Sequence, residues 1–147
     1  MTVQRVLVVG AGSIGLRHRQ VLDDLGLQVA TVSRREKVGE YTSLADALIE
    51  HRPGYVVVAT ETESHLASLQ HLHELGFRER VLVEKPLTHR YSQLGDFEFA
   101  ALFVGYNFRF HPAVRMMREL LADHVYSVLR SEQANTFQIG VRGVIIS

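Results

Sequence analysis

One short stretch of the sequence decides the fold: residues 6–15 read VLVVGAGSIG. The apolar run Val6–Val9 is typical of a parallel strand that is covered on both faces. Gly10 stops that run. From Ser13 to Leu25 apolar residues recur at the spacing of one helix face, and Gly26 is the expected terminator. The stretch therefore predicts a buried strand, a tight turn and a helix in direct succession.

Strands and helices continue to alternate after this first unit. Further strands are predicted over residues 27–33, 55–59, 81–83 and 101–106, and helices over 44–51 and 66–75, over 87–98 with a poor pattern, and after Pro112. Such alternation favours parallel strands joined by right-handed helical crossovers. We therefore predict an α/β fold with a doubly wound, Rossmann-like parallel sheet. A linking helix and the stub of a second sheet, near residues 125–132, follow it.

The composition is that of an ordinary globular chain of about one domain. Of the 147 residues, 46% are hydrophobic, enough for a core, and 16 basic residues balance 16 acidic ones, which argues against a nucleic-acid partner. The absence of cysteine excludes disulfides, thiolate metal sites and a cysteine nucleophile. No apolar run approaches the roughly 20 residues of a membrane span, and no secretory signal opens the chain, so we expect no membrane association and a cytoplasmic location. His71 and His73 lie two apart and face different sides of one predicted helix, so we also expect no metal site.

The glycines of the opening stretch match the pattern G-x-G-x-x-G. Gly10 allows a tight turn, Gly12 leaves room for a pyrophosphate to approach the backbone, and Gly15 lets the helix pack closely on the strand. The helix start at Ser13 and Ile14 offers unpaired N–H groups and the positive end of the helix dipole to phosphates. Between a buried strand and a helix, the pattern indicates a dinucleotide-binding site. The alternative is a glycine-rich turn without a ligand.

The end of the second predicted strand carries Ser33-Arg34-Arg35. An NAD site usually has an Asp or Glu about 20 residues after the glycines, bonded to the adenosine ribose. Here no acid stands at the strand end to repel a 2′-phosphate, and two guanidinium groups can bind one. The sequence therefore predicts NADP as the cofactor, with NAD as a second option because Glu36 is close by. The alternative is that both arginines belong to a solvated loop.

Glu84-Lys85-Pro86 follows a later buried strand. Because ligands of open α/β sheets bind outside the carboxyl ends of the strands, Lys85 is placed on the cofactor side of the sheet. A lysine there can hydrogen-bond to a substrate hydroxyl and favour its alkoxide-like form during hydride removal. The alternative is a surface lysine before a turn.

Four motifs in this order resemble the glucose–fructose oxidoreductase, inositol dehydrogenase and rhizopine-catabolism (Gfo/Idh/MocA) family. They are Gly10–Gly15, Ala59-Thr60 with His65 five residues on, Glu84–Pro86, and Gly105–Pro112. The resemblance covers residues 1–133. It implies an NAD(P)-dependent oxidoreductase that acts on a sugar-like hydroxyl or ketone by hydride transfer.

The resemblance also implies roles for single residues. Lys85 matches the active-site lysine that contacts the reacting hydroxyl, and the Lys-Pro bond is often cis in relatives. Glu84 matches the acid beside the nicotinamide and its ribose. The remaining matches flank the cofactor or the substrate: Ala59, Thr60, His65, Asn107 and Arg109.

The chain departs from the family at its C-terminal end. Members carry a second domain, a mostly antiparallel sheet with an Asp and a His that serve the substrate, and nothing after Arg130 resembles that pair. We therefore assign residues 1–110 to an NAD(P)-binding Rossmann domain and 111–147 to a linker helix and the truncated start of the substrate domain. The chain is then the cofactor-binding half of an enzyme. The alternatives are a non-catalytic dinucleotide-binding module and a truncated remnant that is inactive on its own. We expect a small-molecule, sugar-like substrate, and either a homo-oligomer or pairing with a chain that carries the missing domain.

Overall fold

The computed structural model describes residues 4–35, 38–88 and 96–121. Within these residues five strands form one sheet: β1 Arg5–Val9, β2 Gln28–Val32, β3 Tyr55–Val58, β4 Arg80–Val83 and β5 Ala101–Val104. Every neighbouring pair is parallel, and the order across the sheet is β2-β1-β3-β4-β5. The predicted α/β class and the parallel, Rossmann-like sheet are confirmed.

The described residues also form four helices: α1 Ser13–Asp24, α2 Leu44–His51, α3 His65–Glu74 and α4 Pro112–Leu121. The first three connect successive strands from β1 to β4, which makes each of them a crossover between parallel strands. Their bounds agree with the predicted ones to within one residue. No helix among the described residues has the length and hydropathy needed to cross a membrane.

The apolar run of β1 is buried on both faces of the sheet. Leu7 and Val9 belong to the larger core cluster, which includes side chains of α2 and α3. Val6 and Val8 lie in a second cluster on the opposite face, against the partly buried Leu22 of α1. Helices thus cover both faces, and this explains why β1 is continuously apolar rather than alternating.

Local signals set the helix ends. The Ser43 side-chain oxygen accepts the backbone N–H of Asp46 at 3.3 Å, so Ser43 is the N-cap of α2. Gly26 and Gly76 follow the ends of α1 and α3 with φ values of 74° and 80°. Glycine adopts this left-handed conformation without strain, and it ends a helix there.

The connection between β4 and β5 differs from the prediction. The helix expected over 87–98 is wrong for those of its residues that the structure describes, because none of them is helical, and residues 89–95 lie outside the described part. Phe97 and Phe99 are buried, the residues on either side of Phe97 are exposed, and the two rings stack with centroids 5.5 Å apart. A two-residue alternation fits extended chain, since a helix places such residues on different faces. β5 also ends at Val104, two residues earlier than predicted.

The described residues divide into two compact units, 4–105 with the whole sheet and 106–121. The second contains a short 3-10 turn, Asn107–Phe110, followed by α4. This helix begins at Pro112, as expected for a proline in a first helical turn. The strand predicted over 125–132 and the stub of a second sheet lie outside the described residues. The assignment of two functional domains stays a prediction.

Candidate functional site

A cleft of about 600 Å³ opens at the carboxyl ends of β1, β2 and β3. Because β1 lies between β2 and β3, the chain moves to one side of β1 in its first crossover and returns to the other side in its second. Ligands of open parallel sheets bind at such a switch point. The cleft is lined by nine of the residues predicted to bind a cofactor: Gly10, Gly12, Ser13, Ile14, Ser33, Arg34, Arg35, Ala59 and Thr60.

Two of the loop glycines are required by the packing of the protein itself. Gly10 has a φ of 109°, and a Cβ atom on it would lie 2.5 Å from the carbonyl oxygen of Ala59 in the loop after β3. A Cβ atom on Gly15 would overlap the carbonyl oxygen of Gly10. The positive φ of Gly10 agrees with the tight turn predicted there, and the contact at Gly15 agrees with the close packing of α1 on β1 predicted for that position.

Gly12 is different, because the fold does not need a glycine there. Its φ of −73° and ψ of −179° suit any residue, and a Cβ atom would meet no protein atom within 4 Å. Gly12 lines the cleft and is the N-cap of α1, without a side-chain cap and without an acid in the first helical turn. The free N–H groups of the helix start are therefore open to an anion, and the missing side chain leaves room for it.

The chain after β2 forms the rim of the cleft. Ser33 is buried, its N–H donates to the carbonyl oxygen of Tyr41 at 2.9 Å, and its hydroxyl oxygen accepts the N–H of Arg35 at 3.1 Å. Arg34 and Arg35 are exposed and line the cleft. Two guanidinium groups thus stand where β2 ends. Glu36, the nearby acid in the sequence, lies outside the described residues.

An ion pair holds Glu40, in the loop after β2, against α1. An Arg19 guanidinium nitrogen on α1 lies 2.6 Å from a Glu40 carboxylate oxygen, and a second one donates to the Thr31 hydroxyl at 3.1 Å. The other carboxylate oxygen of Glu40 accepts the Thr31 N–H at 2.8 Å. The hydrogen bond from Arg19 is the main cause that lowers the pKa of Glu40, and the same bond raises the pKa of Arg19. No local sequence pattern predicts this pair, because Arg19 lies on α1 and Glu40 in the loop after β2.

His65 connects two loops instead of lining the cleft. The ring is buried, with Nδ1 at 2.9 Å from the carbonyl oxygen of Pro86 and Nε2 at 3.1 Å from that of Thr60. A neutral imidazole has one N–H and donates to one of these oxygens, whereas the imidazolium donates to both. His65 therefore joins the loop after β3 to the turn after β4, in which the Lys85–Pro86 bond is cis.

Glu84 and Lys85 extend the row of candidate residues along the edge of the sheet. The Glu84 carboxylate lies 2.7 Å from Nε2 of His18 on α1, and its other oxygen accepts the N–H of Lys85 at 3.2 Å. The Lys85 side chain is exposed. Three strand spacings separate β2 from β4, about 14 Å. The arginines and Lys85 therefore stand at opposite ends of a row that suits an extended ligand.

The two remaining predicted residues lie in the second unit. Asn107 and Arg109 belong to the 3-10 turn that precedes α4, and Asn107 is exposed. Their roles beside the nicotinamide and the substrate stay predictions.

Several residues near the site were not predicted from the sequence. Glu61, Glu63 and Ser64 line the cleft, and the signal for them was the polar stretch that directly follows the buried strand β3. His18 was not predicted as a site residue, since no local pattern pairs it with an acid 66 residues away.

The sheet and its glycine loop match a known family. Residues 4–101 match the Gfo/Idh/MocA family model, described as an oxidoreductase family with an NAD-binding Rossmann fold. No curated protein sequence matches the chain.

Solved structures share the fold, and this chain spans about two fifths of the length of each one described here. GenD2 from gentamicin A biosynthesis, in complex with NAD, is 30% identical with a TM-score of 0.69, over 84% of this chain and 40% of that chain. The myo-inositol 2-dehydrogenase from Lactobacillus plantarum is 17% identical with a TM-score of 0.67, over 82% and 41%. The WlbA dehydrogenase from Chromobacterium violaceum, in complex with NADH and UDP-GlcNAcA, is 20% identical with a TM-score of 0.64, over 82% and 40%.

Because the family model matches most of the sheet and its crossovers, the chain belongs to the Gfo/Idh/MocA oxidoreductase family with its NAD-binding Rossmann fold.

Proposed function

We propose that this chain forms the cofactor-binding part of an NAD(P)-dependent oxidoreductase that acts on a sugar-like hydroxyl or ketone by hydride transfer. The observation that carries the proposal is the open space at Gly12. Neither the backbone angles nor the packing requires a glycine at that position, whereas a pyrophosphate close to the backbone does. The uncapped start of α1 then supplies the N–H groups that hold the phosphates.

The preferred cofactor is NADP. Arg34 and Arg35 lie at the end of β2, where the adenosine ribose of a bound dinucleotide belongs, and both line the cleft. Guanidinium groups bind phosphates by paired, charge-assisted hydrogen bonds. Ser33, the residue in the place of the usual acid, is buried and uncharged, so it does not repel a 2′-phosphate.

Lys85 is the proposed catalytic residue. A bound nicotinamide cofactor would supply the acceptor or the donor of the hydride. The exposed Lys85 side chain follows β4, at the end of the row opposite the arginines. There its Nζ would hydrogen-bond to the substrate oxygen and favour the alkoxide-like form of that oxygen while the hydride leaves the carbon. Glu84, fixed beside it, would accept a hydrogen bond from the nicotinamide ribose.

The proposed substrate class is a small molecule with several ring hydroxyl groups. The solved relatives support this choice, because one is a dehydrogenase of myo-inositol and another is in complex with UDP-GlcNAcA. Asn107 and Arg109 would contribute to the substrate end of the site.

Titration of the protein with NADPH and with NADH tests the function directly. We expect NADPH to bind at least tenfold more tightly than NADH. The variant R34Q/R35Q should lose that preference while it keeps its NADH affinity, because the substitutions remove only the charges that face the 2′-phosphate. Tighter binding of NADH by the unchanged protein would contradict the NADP assignment, and binding of neither nucleotide would contradict the function.

A further inference from the structure

We propose that His18 is a positioning residue for the nicotinamide end of the site, which it serves by fixing the carboxylate of Glu84. The inference rests on the proposed function, because it assumes that Glu84 contacts the cofactor. Its basis is the set of contacts around that carboxylate, which involve three separate parts of the sheet unit.

Both oxygens of the Glu84 carboxylate have a protein partner. Oε1 lies 2.7 Å from Nε2 of His18, and Oε2 accepts the backbone N–H of Lys85 at 3.2 Å. These bonds fix the rotation of the carboxylate about its bond to the side chain. A carboxylate offers about four lone-pair sites, so each oxygen can still accept a bond from a ligand.

Gly105 keeps the third side of the carboxylate free of side-chain atoms. A Cβ atom on Gly105 would lie 3.3 Å from Oε1 and 3.4 Å from Oε2 of Glu84. Such contacts are tight, so a side chain at position 105 would require the carboxylate to shift by a few tenths of an ångström. The glycine therefore leaves room for the carboxylate at the position in which it contacts His18.

His18 is well placed to fix this position. It lies three residues after Gly15 on α1, the helix whose first turn faces the cleft, so one bond joins the phosphate-binding helix to the turn that carries Lys85. The side chains of His18 and Glu84 are 26% and 20% exposed. A charge-assisted bond at this distance and burial is stronger than one between surface groups.

A purely structural role is the competing explanation, in which His18 only ties α1 to the sheet. Two amide substitutions separate the two roles. Glutamine places a donor nitrogen about as far from the backbone as Nε2 of histidine, whereas the shorter asparagine has the same amide but does not reach Glu84. H18Q should therefore rescue the positioning of the carboxylate, and H18N should not.

The experiment measures the binding of two ligands to the unchanged protein, H18Q and H18N, together with the melting temperature of each. Under the proposed function, NADPH would extend from the arginines after β2 to Glu84. Adenosine 2′,5′-bisphosphate has only the adenosine end and does not reach Glu84. We expect H18N to raise the Kd for NADPH about tenfold, as for the loss of a hydrogen bond to a charged group. H18Q should change it less than threefold, and neither variant should change the Kd for the bisphosphate more than twofold.

Three results would overturn the inference while the proposed function stands: H18N binds NADPH as the unchanged protein does, H18Q is as weak as H18N, or H18N weakens both ligands equally. If the unchanged protein binds neither ligand, the proposed function fails, and the inference fails with it. E84Q provides a further check. If His18 acts through Glu84, the Kd of the double variant H18N/E84Q for NADPH should be less than twofold higher than that of E84Q alone. A further tenfold rise in the Kd of the double variant would contradict the proposal.

Discussion

The carbonyl oxygen of Gly10 occupies the position that a Cβ atom on Gly15 would need. The first and last glycines of the loop therefore lie in close contact where α1 packs on β1. Gly12 stands between them with open space where its side chain would be. One short motif thus combines two positions that the fold requires with one that, on our account, the ligand requires.

Replacement of Gly15 by alanine should reduce stability. The added methyl group meets a backbone carbonyl that cannot rotate away, so α1 must shift from the sheet. We expect G15A to lower the free energy of unfolding by about 3 kcal/mol, as overpacking in a tight contact does. Urea unfolding measures the change. G12A is the matched control and should stay within about 1 kcal/mol of the unchanged protein, since its methyl group meets no protein atom. Equal stability of G15A and G12A would refute this account of the loop.

The ion pair between Arg19 and Glu40 should stabilise the fold in a pH-dependent way. Because the folded pKa of Glu40 lies below its ordinary value of 4.5, the pair contributes fully above that pH, and its contribution is lost as the pH falls through the folded pKa. The side chains are 30% and 43% exposed, so the contribution at pH 7 is about 1 kcal/mol or less. We expect E40Q to be less stable by that amount at pH 7.

Urea unfolding of E40Q and the unchanged protein, followed from pH 7 downward, tests this expectation. The difference between their free energies of unfolding should disappear as the pH falls below 4.5. E79Q, at an exposed carboxylate, is the matched control and should show no such gap. A gap for E40Q that widens in acid would mean that Glu40 does not act through its charge.

His65 should be more important for stability than any exposed histidine. In H65F the ring keeps its volume but loses both nitrogens, so at least one of the carbonyl oxygens of Thr60 and Pro86 loses the N–H that it accepts from the imidazole. A buried group without its partner costs about 1–3 kcal/mol, so H65F should be destabilised by at least that amount. Thermal unfolding measures the loss. H71F makes the same change at an exposed position of α3 and should stay within about 0.5 kcal/mol. Similar losses in both variants would show that the loop contacts are not responsible.

Much of this fold follows from short-range signals in the sequence. Ser43 lies three residues before Asp46 and begins α2, and Gly26 and Gly76 end two other helices because their φ values suit glycine. The continuous apolar run of β1 correctly indicated a sheet with both faces covered. The cleft residues could also be predicted from the sequence. Each set of them directly follows a predicted strand, and parallel strands end at the same edge of the sheet.

The remaining features depend on which strands become neighbours. The bond from His18 to Glu84 joins α1 to the end of β4, and that from Arg19 to Glu40 joins α1 to the loop after β2. Neither pair has a local pattern, since only the strand order β2-β1-β3-β4-β5 brings its members together. Phe97 was misread for a related reason, because its burial depends on packing against Phe99 and the core.

G12V is the sharpest test of our proposal that the glycine loop binds the phosphates of NAD(P). Valine adopts the extended backbone angles of Gly12, and its methyl groups would fill the open space that we propose for the pyrophosphate. We predict that G12V stays folded, within about 1 kcal/mol of the unchanged protein, and that its Kd for NADPH rises at least a hundredfold in a fluorescence titration. A folded G12V that binds NADPH with unchanged affinity would contradict the account.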